Sequence, residues 1–203
     1  MRLIPKGERQ RQWILTQAAH VFSVRGYMGA SMDDLTHATG LTKGGIYHYF
    51  GSKDALALEA FDFAADLVYA RFDTMAAATS DPLRRLLIVA ELFRSLIDDP
   101  VVKGGCPILN AAVEVDDTNP ALCARVRQRM AGWRDRVCAI VQQGKTQGVF
   151  RADVIPETVA TVAIATMEGA IMMSKLYGDR HYLDQAVDHL ADYFNTLQVE
   201  RPS

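Results

Sequence analysis

Recognisable catalytic machinery is what this chain lacks. It has no glycine-rich nucleotide loop, no metal-binding His-Glu helix and no serine-centred strand-to-helix elbow, and its five histidines do not cluster at ligand spacing. Its three cysteines, Cys106, Cys123 and Cys138, are an odd number without compact spacing. That argues against a disulfide scaffold and a cysteine zinc site, and suits a reducing cytosol. No stretch reads as long and charge-free enough to cross a membrane, and the short basic N-terminus leads into an amphipathic helix rather than an apolar signal core. Low-complexity tracts and internal repeats are missing as well. The expectation is a cytoplasmic protein that is not an enzyme and needs no metal, cofactor or membrane. Two alternatives stand beside it: a cysteine-dependent enzyme with Cys106 as nucleophile and His181 or His189 as base, and a helical protein-binding adaptor.

The 203 residues, nearly half of them hydrophobic, allow one small and one larger domain with a sizeable core. The near-neutral total of −2 hides an uneven distribution. Residues 1–53 hold seven Lys and Arg against three acidic residues, a net +4, and the remainder holds fifteen against twenty-one, a net −6. A basic head on an acidic body suits DNA binding, whose affinity comes from cations set against phosphates.

Within that head, residues 31–55 read SMDDLTHATGLTKGGIYHYFGSKDA. Ser31 and Asp34 form the two halves of a capping box that opens a short helix, and Gly40 closes it, free to take the positive φ of a sharp reversal. Thr42 then caps a second helix. Two helices joined so tightly match a helix-turn-helix. The second begins Lys43-Gly44-Gly45, a poor start for an isolated helix because each Gly costs ~1 kcal/mol relative to Ala. Glycines at a helix N-terminus let backbone N–H groups approach an anion, with Thr42 and Lys43 adding a hydrogen bond and a charge. Tyr47 and His48 follow on the same helix, and Ile46 and Phe50 form its anchoring stripe. Ser52 caps a longer helix whose first turn holds Lys53, a cation that opposes the helix dipole unless it faces a phosphate.

Leu41-Thr42-Lys43-Gly44-Gly45-Ile46-Tyr47-His48-Tyr49-Phe50, followed by Ser52-Lys53-Asp54-Ala55-Leu56, resembles the TetR family of bacterial transcription regulators, and Ala18-Ala19, Phe22 and Gly26-Tyr27 resemble that family's first helix and its exit. The motif resemblance covers the first quarter of the chain; beyond it only the helical layout matches. It departs at Thr36 and Thr39, where the family usually places small apolar residues. The resemblance implies an all-α homodimer: an N-terminal three-helix DNA-binding head over 1–53 and a helical ligand-binding and dimerisation domain over 54–203. Carried over by position, Thr42, Lys43, Gly44, Tyr47 and His48 lie in or beside the major groove with Lys53 on a phosphate, and Ser31 and Gly45 at the two helix starts complete the expected DNA-binding set. It further implies a repressor on a palindromic double-stranded DNA operator, released by a small-molecule effector.

Helical periodicity continues through the acidic body. Asp81-Pro82 and Asn119-Pro120 are cap-and-proline starts, and the arginines between Arg125 and Arg136 read as a solvated or ion-paired face. Helices over about Pro156–Tyr177 and Arg180–Gln198 are the expected dimer interface, with Ala163, Thr166, Gly169 and Ala170 small enough for close approach and Leu190 and Phe194 on the second stripe. Phe61, Phe93, Trp133 and Met167 are candidates for an apolar effector cavity whose location the resemblance implies. Cys106, directly before Pro107 at a helix start with Lys103 nearby, reads first as a structural cap and second as a sensor of thiol-reactive compounds, and Asn110, one turn on, as a loop cap or a ligand contact.

Overall fold

The sequence places proline where a helix loses nothing by its missing N–H, and helices begin there. The computed structural model describes residues 5–115 and 119–200, and the helices among them are α1 (Lys6–Arg25), α2 (Met32–Thr39), α3 (Lys43–Phe50), α4 (Lys53–Ala76), α5 (Pro82–Asp98), α6 (Pro107–Val115), α7 (Pro120–Thr146), α8 (Pro156–Tyr177) and α9 (His181–Thr196). Pro82, Pro107, Pro120 and Pro156 each occupy a first helical position. Asp81 accepts from the Leu83 N–H at 3.2 Å, and Asn119 from that of Leu122 at 3.0 Å, so both expected caps form. The fold is all-α, as the sequence predicts; the described residues add one isolated antiparallel bridge, Phe150 to Gln198.

The chain divides into two compact units, one of Met1–Leu67 with Val101–Arg127, the other of Val68–Pro100 with Gln128–Ser203. The boundary expected at 53/54 falls inside the first, in the opening turn of α4. In that unit Ile14, Ala18 and Phe22 of α1 are fully buried, as are Leu35 of α2, Ile46 of α3 and Phe61 of α4. Arg11 pairs with Glu59 and lies 4.8 Å over the Phe50 ring, holding α1 to α3 and α4.

In the second unit α5, α8 and α9 pack on one another. Near the end of α7, Gly144 gives way to the Phe150 ring: a Cβ there would lie 2.1 Å from a ring carbon. The arginine face of α7 is ion-paired, Arg125 with Asp62 in the first unit and Arg136 with Asp73 in the second, each at 2.6 Å. Helix α8 corrects one expectation. It reaches a mean hydropathy of 1.3 and is long and apolar enough, by length and composition, to cross a membrane. Glu168 and Lys175 are too few charges to disqualify it. Half of that stretch is buried inside the second unit, which is how a core helix of a globular domain behaves.

Candidate nucleic-acid interface

The two motif helices are built by local hydrogen bonds. Ser31 Oγ accepts from the Asp34 N–H at 3.1 Å, and the Asp34 carboxylate accepts from the Ser31 N–H at 2.9 Å, completing the capping box. These bonds from Ser31, helped by the Arg25 charge 3.3 Å away, hold the Asp34 carboxyl below the ordinary carboxylate range. Gly40 ends α2 at φ 71°, and Thr42 Oγ1 accepts from the Gly45 N–H at 3.1 Å to start α3. Ser52 Oγ accepts from the Ala55 N–H at 3.0 Å and starts α4, with Lys53 as its first residue.

Thr36 and Thr39, the two departures from the family pattern, cost nothing in unpaired hydroxyls. Thr36 donates to the Asp33 carbonyl at 2.9 Å, and the buried Thr39 donates to the Leu35 carbonyl at 2.7 Å. The Trp13 indole N–H donates to the Thr39 carbonyl at 3.2 Å, fastening α1 to the end of α2.

Buried Ile46 and Phe50 seat α3, so its opposite side faces outward. That side carries Thr42, Lys43, Gly44, Tyr47 and His48, all exposed, with Gly45 half-buried behind them. A Cβ on Gly44 would meet nothing within 4 Å, so its missing side chain is not needed by the fold. The His48 and Tyr49 rings meet in a T-shaped arrangement, their centroids 5.1 Å apart. Ser31 is exposed beside this surface and Lys53 is half-buried at its margin. The Lys43 ammonium lies 2.9 Å from Asp33, whose hydrogen bond and charge raise the lysine's pKa. A shallow concavity lined by Asp33, Thr36, His37, Gly40, Leu41 and Thr42 separates the two helices.

Sequence reasoning missed the support beneath this surface. Glu114 of α6 accepts from the N–H groups of Tyr27 and Met28 at 2.7 and 2.6 Å, at the exit of α1. Gly26 has φ +84°, and a Cβ there would meet the Glu114 carboxylate at 2.8 Å, which explains the glycine. One turn earlier, the Asn110 amide donates to Ser23 Oγ at 3.1 Å and to the Gly104 carbonyl at 2.9 Å. Asn110 therefore ties α6 to α1. Cys106 stands directly before Pro107, as expected, and is only 3% exposed.

Of the other effector candidates, Phe61 is packed in the first unit, where the Tyr27 ring meets it edge-on at 6.1 Å. Phe93, Trp133 and Met167 are buried in the second unit. There Trp133 stacks on Tyr69 at 5.9 Å and meets Phe72 edge-on at 5.2 Å, and its buried indole Nε1 has no hydrogen-bond partner. The six expected interface residues also divide. Ala163, Ala170, Leu190 and Phe194 are buried in the chain's own core, where small side chains on α8 let it pack closely. Thr166 and Gly169 lie on the open side, and a Cβ on Gly169 would meet nothing within 4 Å. The same side exposes Val162, Met173 and Leu176 at helical spacing, with Met172 and Tyr177 beside them.

Comparison with known proteins agrees with this geometry. Residues 14–60 match the family model for bacterial regulatory proteins of the tetR family, and residues 82–190 match that for a tetracyclin repressor-like C-terminal domain. The chain is 29% identical to the HTH-type transcriptional repressor DhaR of a Mycobacterium species, over 86% of this chain and 87% of that one. It is 30% identical to an uncharacterized HTH-type transcriptional regulator of Mycobacterium tuberculosis, over 97% of each. Among solved structures, a TetR transcriptional regulator from Chloroflexus aurantiacus superposes with a TM-score of 0.92 at 42% identity, covering 96% of this chain and 98% of that one.

Proposed function

Since this chain belongs to the TetR family of bacterial regulatory proteins, we propose that it is a ligand-responsive transcriptional repressor that binds a palindromic operator as a homodimer in the cytoplasm and is released by a small molecule. The carrying observation is the outward side of α3, where Thr42, Lys43, Gly44, Tyr47 and His48 stand exposed on a helix seated by Ile46 and Phe50. In this reading α3 enters the major groove. Gly44 lets the backbone N–H groups of Lys43 and Gly44 come to a phosphate while Thr42 caps Gly45, Tyr47 and His48 reach phosphates or base edges, and Ser31 and Lys53 hold the flanking backbone.

The second head comes from a second copy. Exposed Val162, Met173 and Leu176 on α8, with half-buried Thr166 and Gly169 between them and exposed Met172 and Tyr177 beside them, support pairing of that face with its symmetry mate, because an apolar patch of this kind marks an interaction surface. For the effector, Phe93, Trp133 and Met167 are the favoured contacts. Trp133 brings a buried indole N–H without a partner, a donor suited to a ligand oxygen. Phe61, Asn110 and Cys106 serve as the frame of the head, since Asn110 already bonds to Ser23 and Gly104 and Cys106 is only 3% exposed.

The test is fluorescence anisotropy with DNA from upstream of the protein's own gene, against a shuffled control, at two salt concentrations. Tight, salt-sensitive binding that prefers the upstream DNA is the expected result. If selection from a random pool recovers no preferred sequence, the regulator reading is lost.

A further inference from the structure

Several of the head's cations are already held by the protein's own carboxylates. Arg11 pairs with Glu59, Arg25 lies 3.3 Å from Asp34 and Lys43 lies 2.9 Å from Asp33. Lys6 and Arg9 of α1 are different: both are exposed, and neither has an ion pair among the described residues. They sit in the first turn of α1, where Glu8 suits the helix dipole and two cations oppose it, so the helix gains nothing from them. With Trp13 and Thr16 they stand at i, i+3, i+7 and i+10 on one side of α1, whereas Arg11 is turned to the other, over the Phe50 ring. Trp13 is left 47% exposed, beside an open concavity of about 440 Å³ that Glu8, Arg9, Gln12 and Thr16 complete. Its indole N–H donates at 3.2 Å to the carbonyl of Thr39, the residue before Gly40 of the helix-turn-helix. This side of α1 is thereby fastened beside the turn that leads into Thr42 and α3.

We infer that this side of α1 is a second DNA-contact surface, a seat for the sugar–phosphate backbone beside the groove that takes α3. The inference rests on the proposed DNA-binding function and adds contacts without base preference. A helix in the major groove lies between two phosphate backbones, and the turn into α3 is where Trp13 is tied. Lys6 and Arg9 are free to meet phosphates there. Gln12 and Thr16 add hydrogen-bonding groups, and the open part of the Trp13 ring offers apolar surface to the deoxyribose carbons between two phosphates. Glu8 is the one carboxylate of the seat, so with Lys6 and Arg9 it keeps a net positive charge.

The experiment compares the wild type with a Lys6→Gln, Arg9→Gln double variant by anisotropy over a range of salt, on the tightest sequence selected from a random pool and on a shuffled control. The variant is expected to bind both DNAs roughly ten- to a hundredfold more weakly, with a salt slope shallower by about two to four, one or two phosphate contacts being lost from each of two heads. Its thermal melt is expected to match the wild type, because both side chains are exposed and make no ion pair. A second measurement uses the wild-type chain alone and so does not depend on how the variant folds. Trp133 is only 3% exposed, so acrylamide quenches chiefly Trp13, whose emission is expected to lose most of its access to the quencher at saturating operator. Unchanged affinity and slope in the variant, a loss confined to the selected sequence, or Trp13 emission equally open on saturation would each overturn the inference while leaving the regulator reading intact. Failure of the wild-type protein to prefer any selected DNA would instead overturn that reading, and this inference with it.

Discussion

Gly44→Ala is expected to move fold stability and DNA affinity in opposite directions. Gly44 is the second residue of α3, and an added Cβ meets nothing within 4 Å in the free protein. Replacing glycine by alanine in a helix stabilises it by up to ~1 kcal/mol, less at the second position than in the interior. For a chain of this size that corresponds to a Tm higher by roughly 2–4 °C at most. The penalty appears only when DNA arrives. If the first turn of α3 brings its N–H groups to a phosphate, a methyl group there holds the backbone off and weakens a hydrogen bond to a charged acceptor, worth ~1.5–3 kcal/mol. Operator affinity then falls roughly ten- to a hundredfold. Thermal unfolding by circular dichroism and anisotropy on the same preparation read the two effects together. A variant that melts higher and binds operator as well as the wild type would refute the close-approach role of this glycine. Gly45→Ala makes a useful contrast, because its Cβ would sit behind the exposed side in ordinary contact with Thr42 Oγ1, at 3.4 Å.

Gly144→Ala is expected to destabilise the second unit by ~1–3 kcal/mol despite the gain in helix propensity, because its Cβ would lie 2.1 Å from Phe150; urea unfolding measures this. Ser31→Ala removes the cap of α2 at a cost of ~1 kcal/mol near neutral pH. Because the folded-state pKa of Asp34 is depressed, the capping-box contribution is complete above the carboxyl's unfolded pKa and is lost as pH falls through its folded one. The gap between wild type and variant in urea melts therefore narrows in acid, and a gap that widened there would contradict the cap. Cys106 and Cys123 are 3% and 9% exposed, and burial foremost raises the thiol pKa of half-buried Cys138. A thiol-reactive disulfide reagent is therefore expected to label the native protein slowly at no more than one site, and all three sites in urea. Rapid labelling of Cys106, mapped by mass spectrometry, would restore it as a sensor.

The surface proposed to read DNA was legible because its architecture is local. Ser31 with Asp34, Gly40 at the stop and Thr42 with Gly45 all act within three residues of one another, so each declares itself in the chain. Its support was not legible. Glu114 meets Tyr27 and Met28 from 87 and 86 residues away, and no spacing rule links a carboxylate to backbone groups at that distance. The Asp33–Lys43 pair was hidden for a related reason: both residues were visible, but the turn that joins them sets the distance. Small residues on α8 showed that something packs closely without saying what. Ala163 and Ala170 went to the chain's own core, and Gly169 stayed open.

The bonds from Glu114 and Asn110 also bear on modularity. An engineer grafting this head onto another sensor by cutting at residue 53 would strip Tyr27 and Met28 of their acceptor, Ser23 of its amide donor and Arg11 of Glu59. The transferable part is discontinuous: residues 1–67 together with 101–127. A chimera that carries both segments keeps the exit of α1 in place, whereas one that carries only the first inherits α2 and α3 on a loosened mount.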